Sequence, residues 1–170
     1  MLKELINERR SIRKYEEKKV DHEKIEEILS YAVLGPVYGG TRNVEFILVE
    51  DKEKLEELSQ MQKFGTLYIK DLPALVIILN QDSKYWIEEA SIAAAYLQLL
   101  AQEEGLNTSF IDVRDGKTKD GEDYQEYFRK MFNIPKDKNI LAMIPIGYGH
   151  EKVRKREAVD IKSKLHYEKY

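Results

Sequence analysis

The chain contains no cysteine among its 170 residues, and no apolar run in it approaches the length of a membrane span. The absence of cysteine excludes thiol catalysis, thiolate metal ligands and disulfide bonds. A span needs ~18 consecutive apolar residues, and the first residues (MLKELINERR) lack the uninterrupted apolar stretch of a secretory signal. We therefore expect a soluble, cytoplasmic protein with no membrane partner.

An excess of positive charge is missing as well. The 28 basic and 31 acidic residues are interspersed and leave a net charge of −3, so the chain lacks the basic footprint of a nucleic-acid-binding domain. Its three histidines are scattered and form no pair at metal-ligand spacing, which argues against a metal site. The GxSxG, GxGxxG and GxxxxGKS/T patterns of hydrolases, dinucleotide-binding domains and NTPases are absent.

Apolar periodicity predicts a single α+β domain over residues 1–170, a length that suits one core. Helices are predicted over 2–8, 21–34, 52–61, 84–104 and 122–132, and strands over 44–49, 74–79, 107–113 and 140–147. We expect a mixed sheet of four or five strands surrounded by helices. The last twenty residues (151–170) are charged, with scattered aromatics and no clear period, and are predicted to form an arm that lies on a partner protomer.

The segment 84–104 is apolar almost all the way round the helical wheel. A helix that is apolar on every side is buried on every side. It is therefore either a central core helix or part of a large oligomer interface, and the sequence leaves both possibilities open.

Basic residues cluster at the end of the first predicted helix, in the block RRSIRKY. Three arginines and a serine, Arg9, Arg10, Ser11 and Arg13, lie within five residues. Guanidinium groups form bidentate, charge-assisted hydrogen bonds with phosphate, so this block is a candidate phosphate site. The alternative is a solvated basic patch that is neutralised by the two glutamates that follow.

A glycine-rich loop, GPVYGGTRNVEF, leads into the first predicted strand. Gly39 and Gly40 would let backbone N–H groups approach a ligand closely, and Arg42 supplies a polar side chain beside them. An ordinary helix-to-strand connection explains the same pattern.

Four blocks in this order resemble the FMN-dependent nitroreductase family over residues 4 to about 157. They are ERRSIRKY, GPVYGGTRNVEFILVE, WIEEASIAAAYLQLLAQEEGLNTSFID and NIPKDKNILAMIPIGYGHEKVRKRE. The resemblance implies a short, single-domain member with the nitroreductase-like fold. It also implies an intertwined homodimer with FMN bound at the interface.

The resemblance assigns flavin contacts to residues of these blocks. Those assigned to the FMN phosphate and pyrimidine edge, or lying beside them, are Arg9, Arg10, Ser11, Arg13, Arg154 and Arg156. Asp112 and Val113 match the position whose backbone N–H faces the flavin N5. Gly39, Gly40 and Arg42 fall in a loop that contacts the cofactor.

One departure from the family concerns the space over the flavin. Larger members carry a helical excursion there, whereas only residues 81–85 separate the buried strand from the apolar helix here. The pocket is therefore expected to be more open, or to be roofed by other parts such as Tyr38, Phe64 and Tyr68.

The function implied by the resemblance is that of an FMN-dependent NAD(P)H oxidoreductase. NAD(P)H would pass a hydride to the flavin N5 and leave, and a nitroaromatic, quinone or similar acceptor would then take its place in a ping-pong reaction. The cofactor carries this chemistry, so no catalytic side chain is predicted. The alternatives are dehalogenation, ene reduction or flavin breakdown on the same fold, or a flavin-binding module without turnover.

Overall fold

The computed structural model of the protein describes all residues from 1 to 170. Its helices are α1 (Leu2–Glu8), α2 (His22–Ala32), α3 (Lys52–Ser59), α4 (Trp86–Glu103) and α5 (Tyr124–Phe132). Its strands are β1 (Val44–Val49), β2 (Ala74–Gln81), β3 (Asn107–Thr108), β4 (Ile111–Asp112) and β5 (Lys138–Gly147). The α+β class and the five-stranded sheet confirm the prediction, and most predicted bounds agree within a few residues.

The sheet has the order β1-β2-β5-β3, and β4 also pairs with β5. Every ladder between these strands is antiparallel. The sheet is mixed only through one isolated parallel bridge, between Ser11 and Thr108. The N-terminal segment therefore continues the sheet beyond β3.

A proline explains why the strand predicted over 107–113 is two short strands. The registers of β3 and β4 against β5 would place Ser109 opposite Pro145. In a continuous antiparallel ladder the N–H of residue 145 would donate to the Ser109 carbonyl, and proline has no N–H. The ladder is interrupted at this point and resumes at Ile111.

The sheet separates two hydrophobic cores, because successive strand residues point to opposite faces. Along β2, Ala74, Val76 and Ile78 pack towards α2 and α4. The alternate residues Leu75, Ile77 and Leu79 pack towards α3 and α5. This arrangement of helices on both faces holds β5 in the centre of the molecule.

Helix α4 is buried on one side only, which excludes the prediction of a helix enclosed within its own chain. Ala93, Ala94 and Leu97 face the sheet, whereas Tyr96 is 40% exposed. Its outer face lines an apolar groove of about 440 Å³. The groove residues are Leu2, Leu5, Tyr31, Leu34, Tyr96, Leu99, Leu100 and Glu103. The apolar composition of α4 is thus not explained by packing within one chain.

After β5 the chain forms no further helix or strand, and residues 152–170 are exposed throughout. No helix in the molecule combines the length and the apolar character needed to cross a bilayer.

Candidate functional site

The two ends of the domain run side by side and bring the basic blocks of the sequence together. The Arg156 N–H donates to the Asn7 carbonyl at 2.8 Å, and Tyr15 forms an antiparallel bridge with Gly149. Lys155 pairs with Glu8 next to them. These contacts place the segment after α1 against the segment after β5.

The first basic block is extended, so its side chains alternate. Ile12 is buried in the fold, and its N–H donates to the Thr108 carbonyl at 3.0 Å. The odd-numbered residues Arg9, Ser11 and Arg13 then project to the opposite side. At ~3.3 Å per residue they form a polar row roughly 13 Å long.

Arg10 does not belong to this row. Its Nη1 donates to the main-chain oxygen of Arg154 at 2.6 Å, on the far side of the segment. The structure therefore gives Arg10 and the Arg154 main chain a role in joining the two ends. Neither of these two residues lines the cavity described next.

Arg9, Ser11 and Arg156 line one open cavity of about 770 Å³. Gln98 of α4 and Phe110, which follows β3, line the same cavity. Its other residues are Lys3, Ile6, Asn7, Ala95, Leu99, Glu157, Ala158 and Val159. The cavity is cationic at one end and apolar along α4, as expected for a ligand with an anionic group and an apolar body.

The guanidinium groups of this cavity have no ion-pair partner, although Glu157 also lines the cavity. Arg9 and Arg156 form no ion pair, although Arg156 donates to the Arg9 carbonyl at 2.7 Å. Burial, and then the neighbouring charges of Arg156 and Arg10, lower the pKa of Arg9. Arg9 is half-buried and Arg156 is exposed beside it, and two guanidinium groups this close together would be stabilised by a bound anion.

Arg13 lies in a second, smaller cavity at the other end of the row. This cavity of about 220 Å³ is formed by Arg13, Lys14, Tyr15, Tyr68 and Asp71. Burial raises the pKa of both phenols, so both hydroxyls remain protonated near neutral pH. The structure therefore separates Arg13 from the pair formed by Arg9 and Arg156.

The backbone around Arg13 is fixed by hydrogen bonds. One carboxylate oxygen of Glu151 accepts the N–H groups of Arg13 and Lys14, at 2.6 and 2.7 Å. The Tyr68 hydroxyl lies 3.0 Å from the Ser109 hydroxyl. Of the three residues predicted as a roof, Tyr68 lies at this cavity, whereas Phe64 and Tyr38 project into solvent.

The pairing of β4 with β5 distinguishes the backbone N–H groups of Asp112 and Val113, which the resemblance places together at the flavin N5. The Val113 N–H donates to the Leu141 carbonyl at 3.2 Å and is therefore engaged within the fold. Because antiparallel pairing alternates, the N–H of Asp112 points away from β5. Asp112 thus has the backbone donor that is available to a ligand, and Val113 does not.

The glycine-rich loop lies elsewhere along α4. Gly39 and Gly40 have positive φ angles of 63° and 72°, which suit glycine, and an added Cβ at either would meet nothing within 4 Å. The loop is anchored near Glu89, whereas the cavity meets α4 from Ala95 to Leu99. Six residues of helix place Glu89 and Ala95 roughly 9 Å apart along the helix axis. The structure does not bring this loop, or Arg42, to the cavity of the same chain.

Most residues of this cavity were not predicted from the sequence, Gln98 and Phe110 among them. Gln98 interrupts an otherwise apolar run from Ile92 to Ala101, and this lone polar residue is the signal that could have identified it. Phe110 gave no such signal. No group of three histidine, aspartate or glutamate side chains is arranged to hold a metal ion.

Comparisons with known proteins agree with this architecture. A profile of the nitroreductase family matches residues 6–73 and 69–148. A solved structure of an FMN-dependent nitroreductase from Clostridium difficile R20291 is 37% identical and superposes with a TM-score of 0.92, covering 98% of this chain and 99% of that one.

Two archaeal proteins are similar over nearly the whole chain. One from Methanothermobacter thermautotrophicus is 33% identical over 98% of this chain and 86% of its own length. One from Archaeoglobus fulgidus is 28% identical over 98% of this chain and 97% of its own length. Both carry the provisional name NADH dehydrogenase/NAD(P)H nitroreductase.

Proposed function

The chain belongs to the nitroreductase family, and from this premise we propose that it is an FMN-dependent NAD(P)H oxidoreductase. The observation that carries the proposal is the pair of unpaired guanidinium groups, Arg9 and Arg156, in a cavity that continues along apolar α4. The name of the Clostridium relative supports FMN, and the names of the archaeal relatives support a nicotinamide donor.

The residues present fit FMN. Its phosphate carries about −1.5 to −2 charges near neutral pH, by analogy with other phosphomonoesters. Arg9, Ser11 and Arg156 would hold this phosphate. Arg13, at the other end of the row, would face the pyrimidine edge, and the outward N–H of Asp112 would donate to the ring.

When bound, FMN supplies two-electron chemistry, accepting a hydride equivalent from NAD(P)H and passing it to a nitroaromatic, quinone or similar acceptor. This chain's residues bind and orient the cofactor and keep positive charge near its pyrimidine edge. The protonated hydroxyls of Tyr15 and Tyr68 add no negative charge to that edge. The turn between β2 and α4 is short and would cover less of a bound flavin than the helical excursion of larger members.

The working unit is a homodimer in this proposal. The outer face of α4 and the apolar groove beside it would be covered by a second copy. The Gly39–Gly40 loop and Arg42 would then contact the flavin across the interface, because they lie away from the cavity of their own chain. Residues 151–170 would extend onto the partner as an arm.

The deciding experiment follows the visible absorbance of the purified protein. The proposal predicts a yellow protein that bleaches with NADH or NADPH under nitrogen and regains its colour with air, a nitroaromatic or a quinone. A yellow protein that never bleaches would be a flavin-binding module. A protein that stays colourless after incubation with FMN would overturn the proposal.

Turnover with other acceptors distinguishes the remaining reactions of the fold. Halide release from a haloaromatic, saturation of an activated alkene, or loss of the flavin ring during aerobic turnover would each identify one alternative. The proposal expects nitroaromatic or quinone reduction to be the fastest of these reactions.

A further inference from the structure

Glu89 is a buried carboxylate without a cationic partner. Its side chain belongs to the first turn of α4, and the residue is 5% exposed. A carboxylate in this position is favoured by the positive end of the helix dipole. Removing a charge from water is nevertheless costly unless hydrogen bonds compensate for it, so the contacts of Glu89 identify its role.

Each oxygen of Glu89 accepts one hydrogen bond. Oε1 accepts the backbone N–H of Tyr38 at 3.0 Å, and Oε2 accepts from the Asn80 amide at 3.0 Å. The same Asn80 amide donates to the Trp86 carbonyl at 3.1 Å, and its own oxygen has no partner. A single side chain thus joins the end of β2, the start of α4 and the residue before Gly39.

The loop has few other anchors. The Thr41 hydroxyl and N–H both donate to the Tyr38 carbonyl, so these bonds are internal to the loop. The Tyr38 ring packs on Tyr85 with centroids 4.5 Å apart, although Tyr38 is 67% exposed. The buried hydrogen bond that holds this loop to the rest of the domain is therefore the one from the Tyr38 N–H to Glu89.

We propose that Glu89 is a positioning residue that sets the backbone of the glycine-rich loop through the Tyr38 N–H and thereby its contact with the flavin. The flavin contact rests on the proposed function, whereas the anchoring of the loop does not. A carboxylate accepts a hydrogen bond more strongly than a neutral amide, so it suits a loop of two glycines that have little steric restriction of their own.

The test compares two substitutions of similar size, Glu89→Gln and Glu89→Met. The glutamine keeps an acceptor for the Tyr38 N–H. Its new amide can donate to the Asn80 oxygen after Asn80 flips, which gives up the Asn80 bond to the Trp86 carbonyl but not the Tyr38 bond. The methionine fills the same space without an acceptor. Asn80→Ala is the control, because it removes the other bond of Glu89 and leaves the Tyr38 bond in place.

The first readout is hydrogen exchange of the amides of residues 37–42 in the apo protein. Glu89→Met should raise this exchange at least tenfold, while Glu89→Gln and Asn80→Ala should stay within about threefold of the wild type. Equal exchange in all four proteins would overturn the proposal, whether or not the wild type binds flavin.

The second readout is flavin affinity, followed by quenching of flavin fluorescence. Glu89→Met should bind FMN and riboflavin about tenfold more weakly, with equal losses, because the loop lies away from the phosphate-binding cavity. If flavin affinity merely follows the stability of the fold, Asn80→Ala will also lose flavin affinity, in proportion to the fall in its unfolding temperature. That result would refute the positioning role. Wild-type protein that binds no flavin would refute the proposed function and leave the exchange test standing.

Discussion

The guanidinium of Arg156 donates to the main-chain oxygen of Arg9 at 2.7 Å, across 147 residues of sequence. This contact places two positive charges at one end of a cavity whose walls are apolar along α4. It also fixes the charged end relative to the sheet, because Arg9 is followed by the segment that pairs with Thr108. In the proposed function an anionic group would bind at this end of the cavity, against Arg9.

Replacement of Arg9 by alanine should weaken FMN binding by about 10- to 150-fold. A hydrogen bond to a charged group contributes roughly 1.5–3 kcal/mol, and about 1.4 kcal/mol corresponds to a tenfold change in affinity. Riboflavin, which lacks the phosphate, should bind wild type and Arg9→Ala within about twofold of each other. Lysine should recover part of the loss, because charge is kept while the bidentate geometry is not. Fluorescence titration of apo protein measures both ligands.

The matched control is Lys152→Ala, which removes an exposed positive charge from the same C-terminal segment. It should leave both affinities unchanged. An equal loss of FMN and riboflavin affinity in Arg9→Ala would place Arg9 away from the phosphate.

Arg13→Ala should behave differently, because Arg13 occupies the separate cavity beside Tyr15 and Tyr68. We expect FMN and riboflavin to lose affinity by similar factors, about tenfold each for one charge-assisted hydrogen bond. A loss confined to FMN would instead place Arg13 at the phosphate, as the resemblance alone leads us to expect.

Local sequence patterns were sufficient to predict the elements but not the direction of individual side chains. The bounds of β1 and α1 were predicted correctly, because alternation and helical spacing are local properties. Arg10 could not be separated from Arg9, since its direction depends on the main-chain oxygen of Arg154. The engagement of the Val113 N–H likewise depends on the register between β4 and β5, which no local pattern specifies.

Gln125 joins α5 to the end of β4 and to β5, and its substitution should destabilise the domain. Its amide donates to the carbonyls of Val113, Arg114 and Ile140 at 3.2, 3.1 and 2.8 Å, and its oxygen accepts the Ile140 N–H at 2.8 Å. Loss of the amide leaves a partly buried N–H and carbonyls unsatisfied, at about 1–3 kcal/mol for such a group.

We expect Gln125→Ala to lower the unfolding temperature of the apo protein by about 4–12 °C, for a loss of roughly 2–3 kcal/mol in a chain of this length. Gln125→Glu should be nearly as harmful, because it keeps the acceptor and sets oxygen against three carbonyls. Gln60→Ala, which removes an exposed side-chain contact with Glu56, is the control and should shift the temperature by less than about 2 °C. Calorimetry would contradict this account if the three variants melted together.

Tyr96→Glu tests whether the outer face of α4 is an interface. Tyr96 is 40% exposed in the single chain, so the substitution should cost a monomer little, within about 0.5 kcal/mol. In a dimer it would bury a charge without a partner and should produce monomers at low micromolar concentration. Sedimentation should show wild type only as a dimer. We expect its interface to bury more than the ~2,000 Å² of accessible surface at which obligate interfaces begin. A wild-type monomer that retains flavin would disprove the interface.

Deletion of residues 161–170 tests the proposed arm. Within one chain this segment contacts mainly itself: the Lys164 N–H donates to the Ile161 carbonyl, and the His166 and Tyr170 rings stack with centroids 4.4 Å apart. Tyr167 is 81% exposed, so truncation removes almost no packing from the core of its own chain. The unfolding temperature at a concentration where both proteins are monomeric should therefore be unchanged. If the arm lies on the partner, the truncated chain should dissociate at a higher concentration than wild type. It should also lose FMN faster on dilution, because the proposed dimer would complete the flavin site across its interface. Sedimentation and flavin release, measured on the same samples, test whether the arm lies on the partner. A truncated protein that matches wild type in both measurements would show that the arm stays with its own chain or remains in solvent.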